Sequence, residues 1–243
     1  MTQPIALVTG GAQRLGKAFA LSLARMGYDI LLHYHASEDE AQRTKEEIES
    51  IGRQAHLLQA DLSNPEEIHS LIDRIEFILP PSSFTLRVLV NSAAVMPVGH
   101  PRELTLENWD SALDLNLRAP FLMAQEAAKL MTDGGLIVNV SDIGASKAWS
   151  RYPSYAVSKS ALESLTKVLA RAFAPFIRVN AIAPGLVLQS DVVTPEEWER
   201  LVGRLPLKRP AKPEEIASAL EFLVKNEYVT GQTIVVDGGY SLV

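Results

Sequence analysis

Short apolar runs alternate with longer amphipathic stretches along this chain. Ile5-Ala6-Leu7-Val8 is followed by residues 17–26, which carry apolar side chains at Ala18, Leu21, Leu23 and Ala24. Residues 28–32 form the next apolar run, and residues 37–51 the next charged stretch. Residues 55–60, 64–78, 86–90 and 136–140 continue the alternation, and residues 177–183 and 233–236 complete it. The runs are short and rich in Val, Ile and Leu. That pattern belongs to strands covered on both faces, because the helices between parallel strands pack against each side of the sheet. The order predicts an α/β fold built on an open, doubly wound parallel sheet.

The turn signals Pro80-Pro81-Ser82-Ser83 and Thr132-Asp133-Gly134-Gly135 are short enough for connections inside one domain, expected to span residues 1–243. Residues 39–49 read as a solvated helix face. Residues 95–103 and 186–194 are sparser in structure signals, and both follow strands. In open α/β sheets, segments beyond the carboxyl ends of strands form the ligand crevice. No basic segment precedes the first apolar run, and that run stops at Thr9-Gly10, so no export signal is read. No run approaches the roughly 18 apolar residues of a membrane span. The expected location is cytoplasmic.

Composition narrows the function classes. Of 243 residues, 47% are hydrophobic and 21% charged, enough apolar material for a large core. The net charge of −6 and pI near 5.4 argue against nucleic acid or an anionic membrane as partner, which leaves a small molecule. Cysteine is absent, which excludes disulfides, thiolate metal sites and a cysteine nucleophile. His56, His69 and His100 share no metal-ligand spacing, and no metal is assigned.

Two segments carry chemistry. Thr9-Gly10-Gly11-Ala12-Gln13-Arg14-Leu15-Gly16 leaves the first strand and opens the first helix. Glycines there let the backbone approach a pyrophosphate, and the helix N-terminus offers free N–H groups. The second is Asp142 after the strand at 136–140, with Tyr155 thirteen residues on and Lys159 four beyond that. Tyr155 and Lys159 share a helix face. An ammonium beside a phenol is expected to lower its pKa, which makes the couple a candidate proton donor. Asp142 points to the substrate. Hydride addition to a ketone builds negative charge, which a carboxylate opposes. Addition to a C=N bond is helped by a protonated nitrogen, which a carboxylate stabilises.

The whole chain resembles the short-chain dehydrogenase/reductase family. The resemblance rests on Thr9-Gly10 with Gly16, Asp61-Leu62, Asn91-Ser92-Ala93-Ala94, Asn116, Tyr155 with Lys159, Arg178-Val179-Asn180, Pro184-Gly185 and Asp237-Gly238-Gly239, in the family's order. It implies a Rossmann-type sheet, a nicotinamide cofactor, a homotetramer, and a proton relay of Asn116, Tyr155 and Lys159. Three departures resemble the pteridine reductase and dihydromonapterin reductase subgroup. Arg14 replaces the middle glycine of the turn. Asp142 replaces a serine. The second strand ends His33-Tyr34-His35-Ala36-Ser37, with no acidic residue.

The resemblance implies that NADPH is held by Gly10, Arg14, Leu15, Gly16, His33, Tyr34, His35, Ser37, Asp61, Leu62, Asn91, Ser92, Ala93, Tyr155, Lys159, Pro184 and Gly185. Substrate would meet Arg14, Met96, Tyr155 and Leu188, under a loop at about residues 186–204 that includes Trp198. Asn116 would hold a relay water. Met96 stands where pteridine reductases carry an aromatic residue, and Leu186 to Leu188 lack the usual hydroxyl. Trp109 and Trp149 read as packing residues. The expected function is an NADPH-dependent reductase acting on a pteridine C=N bond. The alternatives are a carbonyl reductase acting on a 3-oxoacyl thioester or small ketone, and a non-catalytic NADP-binding sensor.

Overall fold

The computed structural model describes residues 3–78, 84–147, 149–190 and 192–243. The expected turn at Pro80-Pro81-Ser82-Ser83 lies outside the described residues. Strands and helices alternate as β1 (Gln3–Thr9), α1 (Arg14–Arg25), β2 (Asp29–Tyr34), α2 (Glu38–Ser50), β3 (Ala55–Gln59), α3 (Pro65–Ile78) and β4 (Phe84–Asn91). The chain continues with α4 (Leu106–Leu113), α5 (Ala119–Leu130), β5 (Gly135–Val140), α6 (Pro153–Phe173), β6 (Ile177–Pro184), α7 (Pro195–Arg204), α8 (Pro213–Lys225) and β7 (Thr233–Val236). The seven strands form one parallel sheet in the order β3-β2-β1-β4-β5-β6-β7. The fold expectation holds: this is a Rossmann-type doubly wound sheet.

Every residue of β2 is buried, as the absence of polar alternation requires. One core layer lies under α1 and α8, where Phe19, Leu23, Leu220 and Leu223 meet Val8, Ile30 and Val138. The other lies under α3 and α5, where Ile68, Ile75 and Met123 meet Leu7, Leu89 and Ile137. Strand order reverses between β1 and β4, so their following loops part and leave a crevice at their carboxyl ends. Among the described residues, no helix is long and apolar enough to cross a membrane.

Candidate active site

The crevice is a cleft of about 950 Å³ along the carboxyl ends of the strands. At one end, β1 turns into α1. Gly10 has a positive φ of 61°, and a Cβ there would meet Ala93 Cα at 2.9 Å. A Cβ on Gly16 would lie 1.9 Å from the Gly10 carbonyl oxygen. Glycine at both positions lets the turn fold tightly against the β4 loop. The Thr9 hydroxyl accepts from the N–H groups of Ser92 and Ala93, at 2.9 and 3.1 Å, and ties the two loops together. At the start of α1, Gln13 makes no side-chain cap and no acidic residue stands in the first turn. The helix therefore presents N–H groups and a positive dipole end to an anion. These features fit the pyrophosphate of a dinucleotide.

His33 occupies an unexpected position. It is buried. Its Nδ1 accepts from Gly10 N–H at 3.1 Å, and Nε2 lies 3.0 Å from the Ala60 carbonyl. Both contacts are met by one neutral tautomer, with the proton on Nε2. Burial lowers its pKa to about 4. His33 therefore offers no positive charge to a phosphate and instead holds Gly10 in place. The unfolded chain takes up this proton at higher pH than the folded one. Stability should therefore fall by about 3 kcal/mol as pH drops from about 6.5 to about 4. Urea melts across that range should show the loss, and His33→Asn should flatten it. An unchanged slope in the variant would refute the assignment.

Two expected site residues stand outside the cleft lining. The Asn91 amide donates to Asn139 Oδ1 at 2.9 Å, inside the sheet. Asn116 is fully buried in a π-turn between α4 and α5. Its amide group donates to the Val95 carbonyl and to Ser158 Oγ, and its Oδ1 accepts from Val95 N–H. Both amide hydrogens are used, and the side chain braces the loop after β4.

At the centre of the cleft, the Tyr155 hydroxyl donates to Asp142 Oδ2 at 2.9 Å. Asp142 Oδ1 accepts from Gly144 N–H at 2.6 Å and so caps the short 3₁₀ turn after β5. The α6 helix sets Tyr155 and Lys159 on one face, and Lys159 donates to the Val140 carbonyl at 2.7 Å. Burial lowers the lysine to about 8, which leaves it mainly charged at pH 7. Burial raises Asp142, against the Gly144 N–H, the Tyr155 hydroxyl and the Lys159 charge. Tyr155 is raised well above 10, first by burial and then by the neighbouring carboxylate. The expected drop in the phenol's pKa is thus reversed. Asp142 lies in hydrogen-bond contact, whereas the ammonium is 5.7 Å from the ring centroid and gives one of its hydrogens to a carbonyl.

Arg14 also departs from expectation. It adopts a positive φ of 52°, the conformation that glycine holds cheaply. Its guanidinium crosses the cleft to donate to the carbonyls of Leu188 and Gln189, at 3.0 and 3.3 Å. The substrate-loop segment it reaches leads into α7, which has no buried residue and lies over the cleft. Arg151 meets Glu197 of α7 at 3.3 Å. Two arginines therefore tether the loop.

The remaining expected residues line the cleft: Leu15, Tyr34, His35, Ser37, Asp61, Leu62, Met96, Pro184, Gly185 and Leu188. Trp149, Tyr152 and Tyr240 are among the side chains that line it without having been expected there, and Arg204, at the end of the expected substrate loop, lines it too. Trp149, expected to serve packing alone, stands edge-on to Tyr152 at 6.3 Å and tilted to Tyr240 at 6.4 Å. Tyr240 reaches the cleft because Asp237 accepts from the N–H groups of Gly239 and Ser241 and turns the C-terminus back. The Asp237-Gly238-Gly239 motif was the only sequence signal for that turn.

With this geometry in view, comparison with known proteins is decisive on family. The family model described as enoyl-(acyl carrier protein) reductase matches residues 10–241. The chain belongs to the short-chain dehydrogenase/reductase family. It is 34% identical to 1-cyclohexenylcarbonyl-CoA reductase of Streptomyces collinus, over 98% of this chain and 87% of that protein. It is 33% identical to the 3-oxoacyl-[acyl-carrier-protein] reductase FabG of Staphylococcus aureus, over 96% of each chain. The crystal structure of FolM alternative dihydrofolate reductase 1 from Brucella canis, complexed with NADP, superposes with a TM-score of 0.91. The two are 35% identical, over 99% of this chain and 94% of that one. This short-chain reductase therefore has relatives named for 1-cyclohexenylcarbonyl-CoA, 3-oxoacyl-[acyl-carrier-protein] and dihydrofolate.

Proposed function

We propose that this protein is an NADPH-dependent reductase of a pteridine C=N bond, of the dihydropterin or dihydrofolate kind. One observation carries the reading. The phenol that would protonate substrate is bonded to the Asp142 carboxylate, at a place where ketone reducers of the family carry serine. When bound, NADPH supplies the hydride. Gly10, Gly16 and the open N-terminus of α1 would hold its pyrophosphate, and the two free hydrogens of the Lys159 ammonium would meet ribose.

Tyr155 donates the proton and Asp142 aims and recharges it. In the resting contact the phenol's hydrogen points at Asp142. Once the raised Asp142 carboxyl takes up a proton, it donates to the phenol oxygen and frees the Tyr155 hydrogen for a substrate nitrogen. The proton then passes from Asp142 to Tyr155 as Tyr155 gives its own away. Asn116 acts at one remove, by fixing the loop that carries Val95 and Met96.

A second reading, reduction of a 3-oxoacyl thioester or small ketone, is favoured by Met96 and the apolar Leu186–Leu188 wall, and by the FabG relative. NADPH oxidation measured against dihydropterins, dihydrofolate, quinones and acetoacetyl thioesters separates the two. Turnover of a dihydropterin supports the first. Turnover of thioesters alone supports the second. No turnover of any of them would favour a non-catalytic NADP sensor.

NADPH should be preferred to NADH by at least about tenfold, the value of one contact worth 1.4 kcal/mol. An acid at the end of β2 would repel a 2′-phosphate, and here Ser37 and His35 line that end, with Gln13 donating to Ser37 at 3.3 Å. Arg14, turned toward Leu188, contributes less than its sequence position promised. Equal kcat/KM for the two cofactors would sink the preference. We further propose a cytoplasmic homotetramer, supported by the exposed apolar residues Leu106, Val157 and Val168 on α4 and α6. Sedimentation of the purified protein tests the assembly.

A further inference from the structure

Every charged side chain on the cleft wall but one is already engaged. Asp61 accepts from Ser63, Asp142 from Tyr155, and Lys159 donates to Val140. Arg14 donates to two carbonyls, and Arg151 is paired with Glu197. Arg204, the last residue of α7, lines the same wall, is exposed, and has no hydrogen bond or ion pair among the described residues.

Its place in the cleft is the substrate end. Leu201 and Leu205, which flank Arg204 in sequence, pack in one cluster with Ile143, Trp149 and Tyr240, beside Asp142. Ser37 and Asp61, by contrast, mark the far end beside β2 and β3. Glu197, the cleft-lining carboxylate of the same helix, stands seven residues before Arg204, about 10 Å away along the axis at 1.5 Å per residue. Arg151 occupies that carboxylate from the other side of the cleft. Helix α7 therefore brings to the cleft wall one cation with no paired carboxylate among the described residues, in a chain whose net charge is −6.

We propose that Arg204 anchors an anionic group, a carboxylate or phosphate, on the part of the substrate remote from the bond being reduced. This rests on the reductase reading of the cleft and deepens it. The substrate would be an acid-tailed molecule, such as a pterin bearing a glutamyl tail, and not a small neutral pterin. A guanidinium meets either anion with two parallel N–H bonds, which a lysine replaces only in charge. A phosphate-bearing acyl thioester offers the same chemistry from a different source, so the test needs two substrate pairs.

The first pair is dihydrofolate and dihydrobiopterin, which share a ring and differ in the charged tail. The second is acetoacetyl-CoA and a neutral acetoacetyl ester. KM ratios within each pair are measured for wild type, Arg204→Gln and Arg204→Lys at saturating NADPH. Equilibrium binding of folate and biopterin is followed in parallel by quenching of Trp149 and Trp198, which line the cleft. In wild type the acidic member should be favoured. Arg204→Gln should shrink that preference roughly tenfold, equivalent to about 1.4 kcal/mol, and Arg204→Lys should restore part of it. Raising salt should weaken the wild-type preference toward that of Arg204→Gln. A shift seen only in the thioester pair, with no pterin bound or reduced, keeps the Arg204 anchor and removes the pteridine reading. Ratios that are the same in wild type and Arg204→Gln for both pairs overturn the proposal, whichever substrate is turned over.

Discussion

Tyr155→Phe should lower kcat by roughly 10²–10⁴-fold, the usual cost of losing a general acid. NADPH affinity should stay within about threefold, because one neutral hydrogen bond has a net value near 0.5–1.5 kcal/mol. The phenol is buried beside Asp142, and burial with that charge keeps it protonated across the working pH range. Phenylalanine keeps the ring and removes the hydroxyl, with its transferable hydrogen and its bond to Asp142. Lys159→Ala should damage both turnover and NADPH binding, since it deletes the charge that faces Asp142 and the donor expected at ribose. Single-turnover kinetics with fluorescence titration of NADPH make the comparison. If Tyr155→Phe kept more than roughly a tenth of kcat, the proton would come from elsewhere.

Asp142 should decide between imine and carbonyl chemistry. Asp142→Ser should cost dihydropterin reduction a factor of roughly 10² or more, while weak ketone reduction holds or rises. A serine hydroxyl donates to a ketone oxygen but holds no acidic proton to pass to Tyr155, whereas the protonated Asp142 carboxyl recharges the phenol it is bonded to. Asp142→Asn should behave like the serine variant toward the C=N substrate, because it keeps the shape and the Gly144 contact yet has no proton to pass on.

The pH profile gives a second readout. Burial raises the Asp142 carboxyl, so its acid form persists to higher pH than that of a free carboxyl. Wild-type kcat/KM for a dihydropterin should therefore fall as pH rises through that raised pKa, and the Asp142→Asn profile should lack this limb. If wild type ignores every pterin and reduces a ketone well, and Asp142→Asn leaves that rate unaltered, the carboxylate is a cap for the 3₁₀ turn and nothing more.

The sequence by itself determined the sheet, the turn and the chemical residues. Apolar runs with the spacing of buried strands mark β1 to β7 because helices must cover both faces of a parallel sheet. Gly10 and Gly16 are legible because close backbone approach admits no side chain, and the register of Tyr155 with Lys159 follows from helix geometry alone. Only the tertiary structure decided how these groups are used. Local spacing says nothing of distances between elements far apart in the chain. It could not reveal that Arg14 reaches Leu188 across the cleft, or that Asn116 spends both amide hydrogens on neighbours. The sign of the Tyr155 shift was missed for the same reason. A motif pairs the phenol with Lys159, but its pKa depends on burial and on the carboxylate 2.9 Å away, thirteen residues earlier. Trp149, Arg204 and Tyr240 come from three separate segments. They become one wall only when the chain's end folds back over the cleft.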